Sequence, residues 1–139
     1  MLRISKLADY STVIMVYLAK KPDQVSSARD IAAATRIALP TVSKLLKRLM
    51  GASLLVSVRG TAGGYRLAKH AEDISVSQIL HALDESRGLT ECEQTPSACA
   101  LHQVCHVQHH WRVISHIIES TLNSVSLATL VSPQGIQRG

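Results

Sequence analysis

The chain is expected to be mainly α-helical with one small β-hairpin, and three features carry that expectation. Apolar residues recur at helical spacing near the start (Leu7, Tyr10, Ile14, Tyr17, Leu18) and near the end (Val107, Trp111, Ile114, Ile118, Thr121, Val125). One stretch reads as a hairpin: residues 53–58 and 65–68 flank the glycine-rich tip Arg59-Gly60-Thr61-Ala62-Gly63-Gly64. With no Phe and a single Trp, the core must be built from Leu, Ile, Val and Ala. A length of 139 residues allows one compact domain with an appended helix.

Each element has its own signal. Residues 5–20 form an amphipathic first helix that Lys21-Pro22-Asp23 ends. Ser27 and Asp30 have capping-box spacing, so a short helix rich in small residues follows over 30–35. Pro40 suits the first position of the next helix, because its missing N–H would be unpaired there anyway. That helix, over 41–50, buries Val42, Leu45, Leu46 and Leu49, and Gly51 is placed to close it in a left-handed cap. Its outward side carries Thr41, Ser43, Lys44, Lys47 and Arg48. Two short helices about a tight turn, the second rich in outward basic and hydroxyl groups, describe a helix-turn-helix.

The hairpin is then its wing. Gly60 and its fellow glycines permit close backbone approach to a phosphate, and Arg59 can reach a groove. A nucleotide-binding glycine loop fits poorly, because no Lys-Ser/Thr follows. Ser75 caps a further helix over 76–83, a cysteine-bearing loop comes next, and one long helix closes the chain. The resulting division is a winged helix-turn-helix over 1–84, a cysteine-rich loop over 85–106, a dimerisation helix over 107–131 and a flexible tail over 132–139. The seam of Trp111, Ile114, Ile118 and Val125 is a surface for a second subunit, so a homodimer is expected.

Charge separates the two halves. Residues 1–70 carry twelve Lys/Arg against three Asp/Glu (+9), and residues 71–139 carry three against seven (−4). Such a partition points the first half at a polyanion, double-stranded DNA, and a two-fold dimer calls for an inverted-repeat site. No apolar run is long enough to span a bilayer, and the N-terminus lacks a signal-peptide core. Thiols without an export signal fit the cytoplasm, and no membrane partner is expected.

All three cysteines, Cys92, Cys99 and Cys105, fall within 14 residues. Three thiols cannot all pair as disulfides, and three thiolates leave a four-ligand metal site one short. Iron–sulfur clusters usually take four cysteines, but other residue types can replace some of them. The plainer reading is that these are buried or free thiols.

Taken together, these residues resemble the Rrf2 family of bacterial winged-helix regulators over nearly the full chain. The most specific stretch is Ser57-Val58-Arg59-Gly60-Thr61-Ala62-Gly63-Gly64-Tyr65. It is supported by Arg3-Ile4-Ser5-Lys6, Asp84-Glu85-Ser86, the three cysteines and Trp111. Leu39-Pro40-Thr41-Val42-Ser43-Lys44 and the C-x6-C spacing look most like the proteobacterial regulators of the SUF iron–sulfur assembly system.

The resemblance implies a homodimer with one cluster per subunit, [2Fe–2S] rather than [4Fe–4S], supplied by iron–sulfur assembly proteins and held by Cys92, Cys99 and Cys105. It places Arg59 in the minor groove. The related iron–sulfur-homeostasis branch has a His three residues after the last cysteine, where this chain has Gln108. Other members use an acidic residue of the first helix. Asp9, from either subunit, therefore ranks first as fourth ligand, with His106 or His109 next.

The expected function is a cluster-sensing repressor that controls iron–sulfur assembly genes. A zinc-stabilised or thiol-redox regulator is the alternative within the class. An assembly scaffold or carrier is the alternative outside it, and it leaves the +9 half unexplained. Without a nucleophile–base arrangement, paired catalytic carboxylates or His-Glu-x-x-His, the chain does not read as an enzyme.

Overall fold

A computed structural model describes residues 3–83, 88–95 and 99–133. The segment Asp84-Glu85-Ser86, the boundary drawn at residue 84 and most of the expected tail lie outside the described residues. Seven helices and one two-stranded antiparallel sheet are seen among those described.

Helix α1 (Lys6–Ala19) starts where Ser5 Oγ accepts the Ala8 N–H at 3.1 Å. It buries Ala8, Ser11, Ile14, Met15, Leu18 and Ala19 along one face. Helix α2 (Ala28–Thr35) opens on the expected capping box: the Asp30 N–H donates to Ser27 Oγ at 3.1 Å, and the Ser27 N–H donates to Asp30 Oδ2 at 3.2 Å. Arg36, at φ 60°, turns the chain into α3 (Leu39–Gly51). Pro40 is the second residue of α3 rather than the first, a position whose N–H also lacks an intrahelical partner. Val42, Leu45, Leu46 and Leu49 are fully buried.

The end of α3 corrects the sequence reading. Gly51 continues the helix, and the left-handed residue is Ser53, at φ 61°. The Ser53 N–H donates to the Met50 carbonyl at 2.9 Å and the Leu54 N–H to the Leu49 carbonyl at 3.1 Å, the two bonds of a Schellman motif. The later stop drops Leu54 into the core beside Leu49. That burial offsets a left-handed serine, which costs about 1–2 kcal/mol.

Strands β1 (Leu55–Val58) and β2 (Gly64–Leu67) pair antiparallel, with Leu55 opposite Leu67 and Val58 opposite Gly64. The outer edge of β2 is also paired: Tyr65 exchanges two backbone bonds with Ser26, at 2.8 and 3.0 Å. The chain just before α2 thus braces the base of the wing, which the sequence reading did not foresee. Gly64 makes the brace possible, since a Cβ there would fall on the Ser26 carbonyl.

After a 3₁₀ turn (Ala71–Asp73), Ser75 and Gln78 cap α4 (Val76–His81) reciprocally, each bond at 3.1 Å. Leu83 stays buried although the helix has ended. Helix α5 (Glu91–Gln94) lies within the cysteine segment. The single helix expected over 107–131 is broken in two, α6 (Gln108–Ser124) and α7 (Leu127–Val131). Val125 is extended, its carbonyl accepts the Val76 N–H at 2.9 Å, and the Leu127 N–H donates to Ile74 at 2.7 Å. Ser126 caps α7, and Leu127 is fully buried. These bonds and the burial of Leu127 replace the helical turn that would have run through Val125. Helix α7 therefore belongs to the core formed with α1, and Val125 is not part of a helical seam.

Candidate DNA-binding surface and cysteine segment

Burying Val42, Leu45, Leu46 and Leu49 fixes which side of α3 faces out. Ser43, Lys44, Lys47 and Arg48 are exposed there, and Thr41 is half-buried at its start. Arg48 is also tied inward, since its Nη1 donates to the Leu83 carbonyl at 3.1 Å. Arg59 and Gly60 sit exposed at the wing tip, where Gly60 has φ 119° and the Gly63 N–H closes the turn on the Gly60 carbonyl at 3.0 Å. Gly63 has no room for a side chain, because its Cβ would meet the carbonyl oxygens of Val58 and Gly60. The hairpin tip is therefore compact and presents Arg59 on a short, stiff loop.

The three thiols differ in setting. Cys92, on α5, is buried, and its Sγ lies 3.1 Å from Thr90 Oγ1. Cys99 and Cys105 are half-buried, and none of the three is in a disulfide. Three unpaired thiols on one short segment are donor chemistry that suits an iron–sulfur cluster or another thiolate-bound metal. Among the described residues, no three His, Cys, Asp or Glu are gathered into a ligand set. Asp9 is exposed in the first turn of α1, and His106 and His109 are exposed beside half-buried Gln108.

Residues the sequence reading passed over hold this segment in place. Glu93 Oε2 accepts the Leu89 N–H and the Ser115 hydroxyl of α6, each at 2.8 Å, and the Thr90 N–H at 3.4 Å. One turn on, the Glu119 carboxylate accepts the hydroxyl of buried Ser77 and lies 3.2 Å from His81 Nε2, both on α4. The Thr90–Glu93 spacing is a capping-box signal that could have been read locally. Ser77 and Glu119 are 42 residues apart, and nothing local announces their bond.

Helix α6 has an inner face of half-buried Ser115, Ile118, Glu119 and Leu122, with no fully buried residue. Of the expected seam, Ile118 belongs to this inner face, whereas Trp111 and Ile114 are each 40% exposed. Val113, Ile114 and Ile117 leave an exposed apolar stripe on α6, and Ile117 is 58% exposed. Among the described residues no helix is long and apolar enough to cross a membrane.

Residues 4–133 match the Rrf2 family, whose description is iron-dependent transcriptional regulator. The chain is similar to the HTH-type transcriptional regulator IscR of Yersinia enterocolitica, 35% identical over 97% of this chain and 82% of that one. Its fold is similar to the solved structure of T. potens IscR, with TM-score 0.75 and 26% identity over 99% and 94% of the two chains. It is also similar to CymR, the global cysteine regulator of B. subtilis, with TM-score 0.75 and 27% identity over 94% and 97%. These relatives are regulators of transcription, not enzymes. With its helix-turn-helix, braced wing and cysteine-bearing segment, the chain belongs to the Rrf2 family of winged-helix, DNA-binding transcriptional regulators.

Proposed function

We propose that this protein is a homodimeric repressor that binds an inverted-repeat operator and adjusts its affinity to the state of an iron–sulfur cluster, in control of iron–sulfur assembly genes. The observation that carries this reading is the set of three unpaired thiols on a segment anchored to α6, in a chain similar to IscR. Cys92, Cys99 and Cys105 are the proposed ligands of a [2Fe–2S] cluster delivered by assembly proteins. The fourth ligand is Asp9 of a second subunit, since Asp9 lies exposed in the first turn of α1, within reach of one. Held by these residues, a cluster would crosslink the segment and bring a charge that changes with its oxidation state.

The chain's own residues supply the route to DNA. Glu93 and Ser115 join the segment to α6, Glu119 joins α6 to Ser77 and His81 of α4, and Arg48 joins the Leu83 carbonyl beyond α4 to the recognition helix α3. Order in the cysteine segment thereby biases the seating of α3. Thr41, Ser43 and Lys44 approach base edges, Lys47 contacts a phosphate and Arg59 enters the minor groove.

Anaerobic purification with an absorption spectrum and iron and sulfide analysis tests the reading. A coloured protein with matching iron and sulfide, lost in each Cys→Ala variant, is expected. A colourless protein with zinc, or with neither metal, would overturn it. The likeness to CymR and the half-buried thiols of Cys99 and Cys105 favour a second reading, a thiol-redox regulator. Under it, oxidant would change DNA affinity in a metal-free preparation.

A further inference from the structure

We propose that Glu93 is a positioning residue for Cys92. Its carboxylate latches the first thiol of the cysteine segment to α6 before any metal is bound; the consequence for cluster retention rests on the reading above. Four features converge on one side chain. Glu93 Oε2 accepts from the Leu89 N–H and from Ser115 Oγ at 2.8 Å each, so one oxygen clamps the chain before α5 to the middle of α6. Ser115 Oγ lies 3.3 Å from the same Leu89 N–H, which closes a three-membered knot.

Gly88 packs directly against Glu93. A Cβ at Gly88 would collide with the Glu93 Cβ and lie 3.1 Å from Oε2, so glycine is what lets the carboxylate turn back over the loop. Thr90, whose N–H also reaches Oε2 at 3.4 Å, places its hydroxyl 3.1 Å from Cys92 Sγ.

Cys92 is therefore held between two fixed points, Thr90 before it and Glu93 after it, and only 7% of its surface is exposed. Cys99 and Cys105 are half-buried, and neither has a latch of this kind among the described residues. A thiol already in place reduces the ordering required when a metal binds, because that cost falls on the remaining ligands alone. Cys92 is thus the pre-set ligand, and the other two close on it.

The test is alkylation of the full-length, reduced, iron-free protein by iodoacetamide, with each cysteine followed separately by mass spectrometry. In the parent, Cys92 reacts more slowly than Cys99 and Cys105. Glu93→Ala should speed Cys92 by about tenfold, the equivalent of one hydrogen bond to a charged group, and leave the other two rates in place. Glu93→Gln keeps an acceptor oxygen and should stay within about twofold of the parent, whereas Ser115→Ala should move Cys92 part of the way.

An unchanged Cys92 rate in Glu93→Ala overturns the proposal. So does equal acceleration at all three thiols, the signature of general loosening. If Glu93→Ala does not fold, Ser115→Ala decides by the same criteria. After anaerobic reconstitution, Glu93→Ala should also lose iron to a chelator faster than the parent, with Glu93→Gln restoring retention; equal retention overturns the positioning role. A parent that binds no iron, in which Glu93→Ala still unmasks Cys92, would sink the cluster reading and leave the latch standing.

Discussion

Arg48 Nη1 donates to the carbonyl of Leu83 at 3.1 Å, tying an exposed basic residue of α3 to the chain just beyond α4. Lys47, its neighbour in sequence, is exposed on the same helix. Two adjacent cations on α3 thus have different structural settings, and the difference is measurable.

Lys47→Ala should weaken binding to all DNA sequences alike and reduce the salt dependence by about one unit of slope, the mark of one lost phosphate contact. Arg48→Ala should lower stability by about 1 kcal/mol through the lost bond to Leu83 and change the slope less. Binding isotherms over a salt series, with urea unfolding of the same variants, separate the two. Identical slopes for both variants would make Arg48 a phosphate contact first.

Arg59 stands at the tip of a hairpin whose turn has no room for larger residues at Gly63. Narrow A·T-rich minor grooves concentrate negative potential, so Arg59→Ala should cost most on operators with A·T-rich flanks. Competition assays on flank variants measure this. Equal losses on all flanks would reduce Arg59 to a phosphate contact.

Gly64→Ala should destabilise the domain by about 1–3 kcal/mol, because the new methyl group meets the Ser26 carbonyl within a paired strand edge and neither backbone can yield easily. Gly51→Ala is its control, since nothing lies within 4 Å of a Cβ there and Gly51 is helical. That change should be neutral or stabilise by up to about 1 kcal/mol. Thermal unfolding of the two variants checks the contrast, and a Gly64→Ala protein as stable as the parent would remove Ser26 from the wing's support.

Ile117 and Ile118 are neighbours on α6 with opposite surroundings. Ile118 lies on the side that meets α4, so Ile118→Glu should cost about 1–3 kcal/mol of fold stability. Ile117 is on the exposed stripe, so Ile117→Glu should leave the fold intact and weaken self-association by at least about tenfold, the scale of one buried apolar side chain replaced by a charge. Sedimentation at several concentrations, beside chemical unfolding, tells these apart. An unmodified chain that sediments as a monomer at micromolar concentration would defeat the dimer.

Much of the fold was legible because its signals are local. Ser27 with Asp30 and Ser75 with Gln78 form reciprocal caps within one helical turn, and the spacing of Val42, Leu45, Leu46 and Leu49 orients α3 with no help from the rest of the chain. The glycines of the wing were legible for the same reason: a tight turn demands them wherever it occurs. The cysteines could be recognised as a set by type and proximity in sequence.

Other features depend on which surfaces meet. The apolar spacing through Val125 is as helical as that of α1, yet the chain breaks there because Ile74 and Val76 offer backbone partners and the core has room for Leu127. Ser26 braces the wing, Glu93 clamps Ser115, and Arg48 turns toward Leu83, each across a separation in sequence that no local pattern spans. Sequence alone determined which residues can cap, turn or bury themselves, because those preferences act over a few bonds. The tertiary structure decided which distant polar groups satisfy one another, because that choice is made only when a folded core excludes water from both at once.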